Sequence, residues 1–296
     1  MQDGKKIWHW LVLGVLSLIW GTSYILMKKG LESYSSMQIA SIRVFITFLC
    51  LLPVALGNIK KINRHNILSI SVIGILGNAI PAFLFPMAET RIESSMAGML
   101  NSLSPVFTLF LGITVYRQNM IKTQIAGILL GFIGAAGLLY NGSFALNYFG
   151  LFVVLATCLY GFSANEVSRI KDLNGLQITS LAFFVIGPFA GVYLLFSAFS
   201  AAVETENWLR NLGFVAILAI MGSATALALF YLLIRDTSPV FASIVTYFIP
   251  VVAALWGIGD NEHLTFSMLI SVIFILAGVY IIYKPDLLRR VIKKFK

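Results

Sequence analysis

Polar residues are rare interruptions along this chain. Apolar stretches of about 17 to 24 residues alternate with short polar turns, at 7–27, 37–56, 67–88, 96–116, 123–140, 146–164, 176–199, 212–233, 240–258 and 266–283. As helices rising 1.5 Å per residue, stretches of this length cross a hydrocarbon layer of roughly 30 Å. The prediction is an all-α polytopic membrane protein with ten transmembrane helices. The longest polar stretch between them, 165–175, is too small for a soluble domain and leaves no room for an attached ATPase or enzyme module.

Composition agrees with this reading. Of 296 residues, 59% are hydrophobic and 11% charged, against roughly 25% charged in a typical soluble domain. Folded in water, such a chain would leave a large apolar area exposed, whereas a bilayer removes that cost. Charge then orients the chain, because an even number of spans puts both termini on one side. Of the 21 Lys and Arg, all but Lys28, Lys29, Arg91, Arg210 and the intramembrane Arg43 fall on that side. The positive-inside rule makes it the cytoplasm. The net charge of +9 is therefore topogenic and faces lipid headgroups; a nucleic-acid partner is not implied.

Lys5 and Lys6 ahead of an apolar run suggest a signal peptide, but that run is too long and no small-residue cleavage site follows. An uncleaved first helix is expected. Cys50 and Cys158 both fall inside spans and read as small apolar core residues, without a disulfide framework.

The chain also repeats itself. Shifted by 145, residues 77–113 lie on 222–258 without a gap, pairing Gly77 with Gly222, Phe85 with Phe230, Ala97 with Ala242, Pro105 with Pro250 and Gly112 with Gly257. Gly21-Thr22-Ser23 and Gly161-Phe162-Ser163 correspond at a shift of 140, and Gly134 and Gly278 at 144. Residues 1–142 and 143–296 are then two copies of five spans each. Five is odd, so the second copy enters the membrane from the opposite side. Inverted repeats of this kind enclose a site near the bilayer midplane in secondary transporters.

A polar solute needs polar or aromatic groups on helices otherwise built of Leu, Ile and Val. The candidates are Trp20 and Ser23 in the first span, Asn78 and Phe85 in the third, Asn101 in the fourth, and Tyr160 and Ser163 in the sixth. Tyr231 in the eighth and Thr246 and Tyr247 in the ninth complete the set. Pro81, Pro105 and Pro250 free backbone carbonyls that lipid cannot satisfy, which marks them as kinks beside a cavity. Arg43 lies roughly 9 Å into its span; it needs a partner, and Glu32, Glu89 and Glu93 share its side, so either a stabilising ion pair near the outer boundary or a gating or coupling role is expected. Gly127, Gly131, Gly134 and Gly137 form a small face for close helix packing. No HExxH, GxSxG, CxxC, P-loop or dinucleotide fingerprint is present, and His9, His65 and His263 do not converge. Neither catalysis nor a metal or other cofactor is expected.

Trp20-Gly21-Thr22-Ser23 followed by Lys28, then Arg43, and the pattern around Gly98 and Pro105 resemble the EamA branch of the drug/metabolite transporter superfamily. So does Ser238-Pro239-Val240-Phe241-Ala242-Ser243 running to Pro250, with Trp256-Gly257 and Glu262-His263-Leu264-Thr265 after it. The likeness spans essentially the whole chain. It implies a ten-helix carrier with cytoplasmic termini and a central cavity lined by the first, third, fourth, sixth, eighth and ninth helices. In one departure the first repeat has Tyr116-Arg117-Gln118 where an acidic residue often follows the fourth helix; its counterpart Glu262 is present. Together these readings predict a secondary transporter of a small organic metabolite, an amino acid or similar, in the bacterial inner membrane. It would work by alternating access in the direction of export, with a coupling proton as candidate partner and no ATPase subunit. The alternative is a channel or facilitator for a small neutral solute.

Overall fold

The computed structural model describes residues 2–119, 121–140 and 147–283, and the backbone alone at residues 2–6 and 122. It has ten helices long and apolar enough to cross a membrane: α1 Ile7–Leu31, α2 Ser36–Lys61, α3 Ile67–Glu89, α4 Ser94–Thr114, α5 Thr123–Tyr140, α6 Tyr148–Arg169, α7 Gly175–Phe196, α8 Trp208–Asp236, α9 Pro239–Gly259 and α10 Phe266–Tyr283. The expected dividing point at residues 142 and 143 and the basic tail from Lys284 lie outside the described residues.

Helix ends follow local chemistry. Ser35 and Gln38 form a capping box at the start of α2, and Asn174 and Gln177 form one at the start of α7. These two boxes place α2 on α7 at a shift of 139. Asn147 caps α6, and the Ser238 hydroxyl accepts from the Phe241 N–H at 3.0 Å to cap α9. The sixth span continues to Arg169, well past the expected end at 164, because Asn165 satisfies itself inside the bundle. Its amide donates to the Thr108 and Gly161 carbonyls at 3.0 and 2.9 Å.

Packing obeys the repeat. Pairings that join one half to the other come in sets related by exchange of the halves: α1 on α8 matches α6 on α3, α1 on α9 matches α6 on α4, and α2 on α8 matches α7 on α3. Helices α2 and α7, α4 and α9, and α5 and α10 pair with their own counterparts. The glycine pairs have a spatial meaning. A Cβ built on Gly77 would sit 2.2 Å from Ser163 Oγ, and one on Gly222 would sit 3.0 Å from Ser23 Oγ. One on Gly21 would meet Val252 and one on Gly161 would meet Phe107, again counterparts. Between helices in lipid, such small residues let backbones approach and gain dispersion contact. The face turned outward is apolar: Phe189, Leu195 and Phe196 are among the most exposed side chains. Cys50 belongs to that face; it is exposed and not in the core, whereas Cys158 is half-buried.

Four spans are broken, in two matched pairs. Helix α3 carries a π-helical segment at Ile75–Ala79 and α8 one at Leu218–Thr225. Helix α4 stops at Asn101 and restarts at Ser104, while α9 passes through a 3₁₀ segment at Ser243–Tyr247 and restarts at Ile249. Pro81, Pro105 and Pro250 are each the second residue of the segment that follows a break. There the missing N–H has no helical acceptor to lose. Proline is not required for the widened turn, since the counterpart of Pro81 is Ala226 and α8 widens all the same.

Candidate functional site

The broken segments surround a chamber of about 930 Å³, counting the space open at its mouth. Its walls come from both halves. Trp20, Ser23, Tyr24 and Met27 (α1), Asn78, Ala82 and Phe85 (α3), and Asn101, Ser104 and Thr108 (α4) face it. So do Tyr160 and Ser163 (α6), Ser223, Phe230 and Tyr231 (α8), and Ser243 and Thr246 (α9). Arg43 and Val44 of α2 and Phe183 of α7 also line it, and Gly77, Ala164, Leu227 and Val245 fill the remaining wall. Thus the structure brings together Trp20, Ser23, Asn78, Phe85, Asn101, Tyr160, Ser163, Tyr231 and Thr246 from the sequence-derived set.

Tyr247 is the exception and lies off the wall. In the 3₁₀ segment residues three apart eclipse one another, so Ser243 and Thr246 share the chamber face and Tyr247 turns away. Its hydroxyl is buried without a hydrogen bond and lies in the field of Tyr280 and Tyr283 on α10. Pro81, Pro105 and Pro250 are behind the wall as well. Phe183 and Thr108 carried no signal in the sequence.

Side chains from facing helices bind carbonyls at the irregular turns. Trp20 Nε1 donates to the Gly222 carbonyl at 2.9 Å and Thr47 Oγ1 to the Ala219 carbonyl at 3.0 Å, both in the α8 π segment. Asn78 Nδ2 donates to the Ile73 carbonyl at 2.7 Å, beside the α3 π segment, and to Tyr231 Oη at 3.2 Å. Ser17 Oγ donates to the Val245 carbonyl at 2.9 Å. Without water or lipid able to serve, these bonds are what permits a widened helix at membrane depth. The aromatic rings form two groups: Tyr24 is tilted against Phe85 at 5.8 Å and Phe85 stacks on Tyr160 at 5.8 Å, while Trp20 meets Phe230 edge-on at 5.0 Å.

Arg43 departs from expectation. Its Nε donates to Ser223 Oγ at 2.7 Å, and this is its one side-chain bond to the protein among the described residues. No carboxylate of the described residues lies within 4.0 Å of it. Glu93 pairs with Lys28 at 3.5 Å and Glu32 with Lys29 at 3.0 Å. Glu89 is buried, and neither of its carboxylate oxygens has a hydrogen-bond partner. Among the described residues the outer-boundary ion pair expected for Arg43 is therefore absent: Glu32 and Glu93 are engaged by the lysines, and Glu89, though its charge acts on Arg43, does not come within ion-pair distance.

At one end of the bundle charged groups seal α1 and α4 to the loop that follows α9. Lys28 Nζ reaches Glu262 Oε1 at 2.7 Å and Asp260 Oδ2 at 2.8 Å, and Lys29 reaches Asp260 at 2.6 Å. Glu262 also accepts from Ser94 N–H and Oγ–H at 3.0 and 2.6 Å and from Ser95 N–H at 2.9 Å. Its carboxylate thus caps α4, whose own preceding residue Glu93 makes no side-chain cap. Burial disfavours the charge on Glu262, but the Lys28, Ser94 and Ser95 hydrogen bonds outweigh it and hold the carboxyl at about 2. Burial likewise opposes the charge on Asp260, and the two lysines keep it below its ordinary value. Close packing reinforces this seal, since a Cβ on Gly98 would fall 2.5 Å from Ala253 Cβ and one on Gly257 3.0 Å from Ser95 Cβ.

The opposite end is built differently. Gln118 stands where Glu262 stands: Arg117 and Asn261 before them both have positive φ, and each following N–H bonds back to Gly112 or Gly257 at 2.8 Å. Yet Gln118 donates to Asn165 of α6 at 2.9 Å and holds no lysine. The three atoms nearest a Cβ on Gly112 belong to Gln118 and Asn165, none of them on α9. Glu166 gathers Tyr116, Ser69 and Arg169, all on the α3, α4 and α6 side. Burial and the bond to Glu166 push the Tyr116 phenol above its ordinary value.

Comparison with known proteins decides the family. Residues 7–140 and 148–284 each match the pattern of the EamA-like transporter family. The chain belongs to the EamA-like transporter family. It is a membrane transporter. It is 27% identical over 252 residues to the "Uncharacterized inner membrane transporter YedA" of Escherichia coli, covering 83% of this chain and 81% of that one. An "Uncharacterized transporter" of Archaeoglobus fulgidus is 25% identical over 280 residues, covering 93% and 98%. A solved crystal structure superposes with a TM-score of 0.64 at 15% identity, covering 95% of this chain and 97% of the other, which shows the shared fold. In this EamA-like transporter each matched region supplies one half of the chamber wall.

Proposed function

We propose that the chain is a secondary carrier that exports a small organic metabolite, an amino acid or similar, across a bacterial inner membrane by alternating access, with both termini cytoplasmic. What supports this most is the chamber itself, walled by two antiparallel halves, with an ion cluster joining helices at one end that has no counterpart around Gln118 among the described residues. Two related halves rocking about such a site expose it to each side in turn. The positive-inside bias assigns the Lys28 end to the periplasm. Aromatic rings beside amides and hydroxyls suit a solute with an apolar body and few polar groups. A "Probable terminal-alkyne amino-acid exporter" of Streptantibioticus cattleyicolor is 24% identical over 188 residues, which favours an amino-acid-like solute. Trp20, Ser23, Asn78, Phe85, Asn101, Tyr160, Ser163, Tyr231 and Thr246 bind the solute, and the breaks ahead of Pro81, Pro105 and Pro250 act as hinges.

The test is counterflow. Proteoliposomes loaded with unlabelled amino acids, one at a time, are given the labelled form outside, with and without a pH gradient. A carrier gives saturable, transient accumulation for at least one of them, and Asn101→Ala lowers its rate roughly tenfold, the loss of about 1.4 kcal/mol expected for one hydrogen bond to solute. Flux that never saturates and shows no counterflow would make the protein a channel. An unchanged rate in Asn101→Ala would remove that residue from the site.

A further inference from the structure

We propose that Arg43 is the carboxylate receptor of the chamber, and that the transported solute is therefore a small carboxylic or amino acid with an apolar body, not the matching amine, amide or neutral alcohol. The proposal rests on the carrier reading above and adds a recognition element to it.

The first ground is broken symmetry. Across the two halves much of the wall is matched, Asn78 by Ser223, Phe85 by Phe230 and Asn101 by Thr246, while Thr108 and Tyr231 have counterparts, Ala253 and Pro86, that do not line it. The capping boxes at Ser35 and Asn174 set α2 on α7, and in that register Val44 meets Phe183 and Arg43 meets Ala182. One half therefore puts a guanidinium in the wall where the other half has a methyl group. A residue needed only to join the helices would not have to face the cavity.

The second ground is the missing counter-ion. A guanidinium has five N–H donors, and the protein accepts from Nε alone, through Ser223. Of the groups of opposite sign, Glu32 and Glu93 are committed to the lysines, and Glu89, whose charge acts on Arg43 from a distance, makes neither a hydrogen bond nor an ion pair within 4.0 Å of it. Cations at this depth ordinarily find a partner in the protein. Here the free face is turned to the chamber, and a planar fork of donors matches a carboxylate in bidentate geometry better than any neutral group. The solute would complete the ion pair that the fold leaves open.

The third ground is what surrounds the charge. Tyr24 and Tyr160 share its electrostatic environment, and their rings, with Phe85 stacked between, form the aromatic wall next to it. An anion with no apolar part would leave that wall idle. An amino acid or arylalkanoate places its charge on Arg43 and its side chain on the rings.

The experiment measures binding and so is independent of transport. Purified full-length protein is titrated with acid, primary-amide and amine forms of phenylalanine, leucine and alanine, with sodium sulfate as a small-anion arm, and ligand-induced thermal stabilisation is read. At least one acid should bind tenfold or more tightly than its amide and amine, with sulfate ineffective. In Arg43→Gln that preference should fall below twofold. Arg43→Lys, which retains charge but not the fork, should fold if the glutamine variant does not, and should lose at least threefold of the preference. Acids no better than amides, sulfate as effective as the acids, or a preference that survives in Arg43→Gln or is undiminished in Arg43→Lys would each overturn the assignment. An acid preference without counterflow would leave Arg43 standing and remove the carrier; counterflow of a solute that has no carboxylate would do the reverse.

Discussion

Substituting Glu262 by Gln should open the Lys28 end of the bundle. Four short hydrogen bonds converge on this carboxylate, from Lys28, the two Ser94 groups and Ser95. They tie α1 and α4 to the loop that follows α9. Removing one partner of a buried pair costs about 3 to 5 kcal/mol. Lys28 is 29% exposed and keeps Asp260, so a shift of about 2 kcal/mol is expected, or roughly thirtyfold in the open population. A cysteine at Met27, on the chamber wall near that end, in a chain with Cys50 and Cys158 replaced by Ser, reports it. An impermeant maleimide added to intact cells should react roughly thirtyfold faster in Glu262→Gln, and no faster when added to inside-out vesicles. Equal rates in both variants would mean that the ion cluster does not hold the end shut. The same carboxylate sets a pH window. Its folded value of about 2 lies below the ordinary 4.5, so its contribution is complete above 4.5 and is lost as the pH falls through about 2. The ratio of labelling rates between Glu262→Gln and the parent chain, in which the common thiolate fraction cancels, should not change between pH 8 and pH 5.

The second large effect belongs to Gly278. Helices α5 and α10 meet backbone to backbone: a Cβ on Gly278 would lie 2.5 Å from the Gly127 carbonyl oxygen and 2.7 Å from Gly131 N, and one on Gly127 would lie 2.5 Å from the Gly278 carbonyl oxygen. The obstructing atoms are main chain and have no rotamer to change. Gly278→Val must separate the helices, at a cost of about 3 kcal/mol or more. Thermal unfolding in detergent should show Tm several degrees lower. Gly14 and Gly213, where an added Cβ would meet nothing within 4 Å, should tolerate Val with a change below about 0.5 kcal/mol. Equal Tm for Gly278→Val and Gly14→Val would contradict this account of the pair. The small face read from Gly127, Gly131 and Gly134 thus serves a contact inside the chain, against α10.

Much of the candidate site was legible because its residues are polar or aromatic where everything around them is aliphatic. Asn78, Asn101, Ser163 and Tyr231 stand out on that ground alone. Tyr247 met the same criterion and failed, since which side of a 3₁₀ turn faces the cavity depends on backbone dihedrals that hydropathy does not encode. Phe183 is invisible for the converse reason: a phenylalanine in a lipid-spanning helix looks the same whether it faces a cavity, a neighbour or the bilayer. The π segment of α8 had no sequence mark either. Pro81 pointed to the one in α3, and Ala226 at the equivalent place in α8 shows that the widening there is held by tertiary bonds from Trp20 and Thr47.

The sequence by itself determined the spans, their number, the inverted repeat and the transporter class. Those follow from bilayer thickness and from a register of glycines and prolines that survives at fixed spacing. Only the tertiary structure decided where Arg43 finds its partners, which end of the bundle is sealed, and that Glu262 caps a helix that begins 168 residues before it. Charges in a membrane protein are settled by contacts between segments far apart in the chain. The cost of burying a charge depends on which atoms surround it in space, and a linear pattern does not contain that.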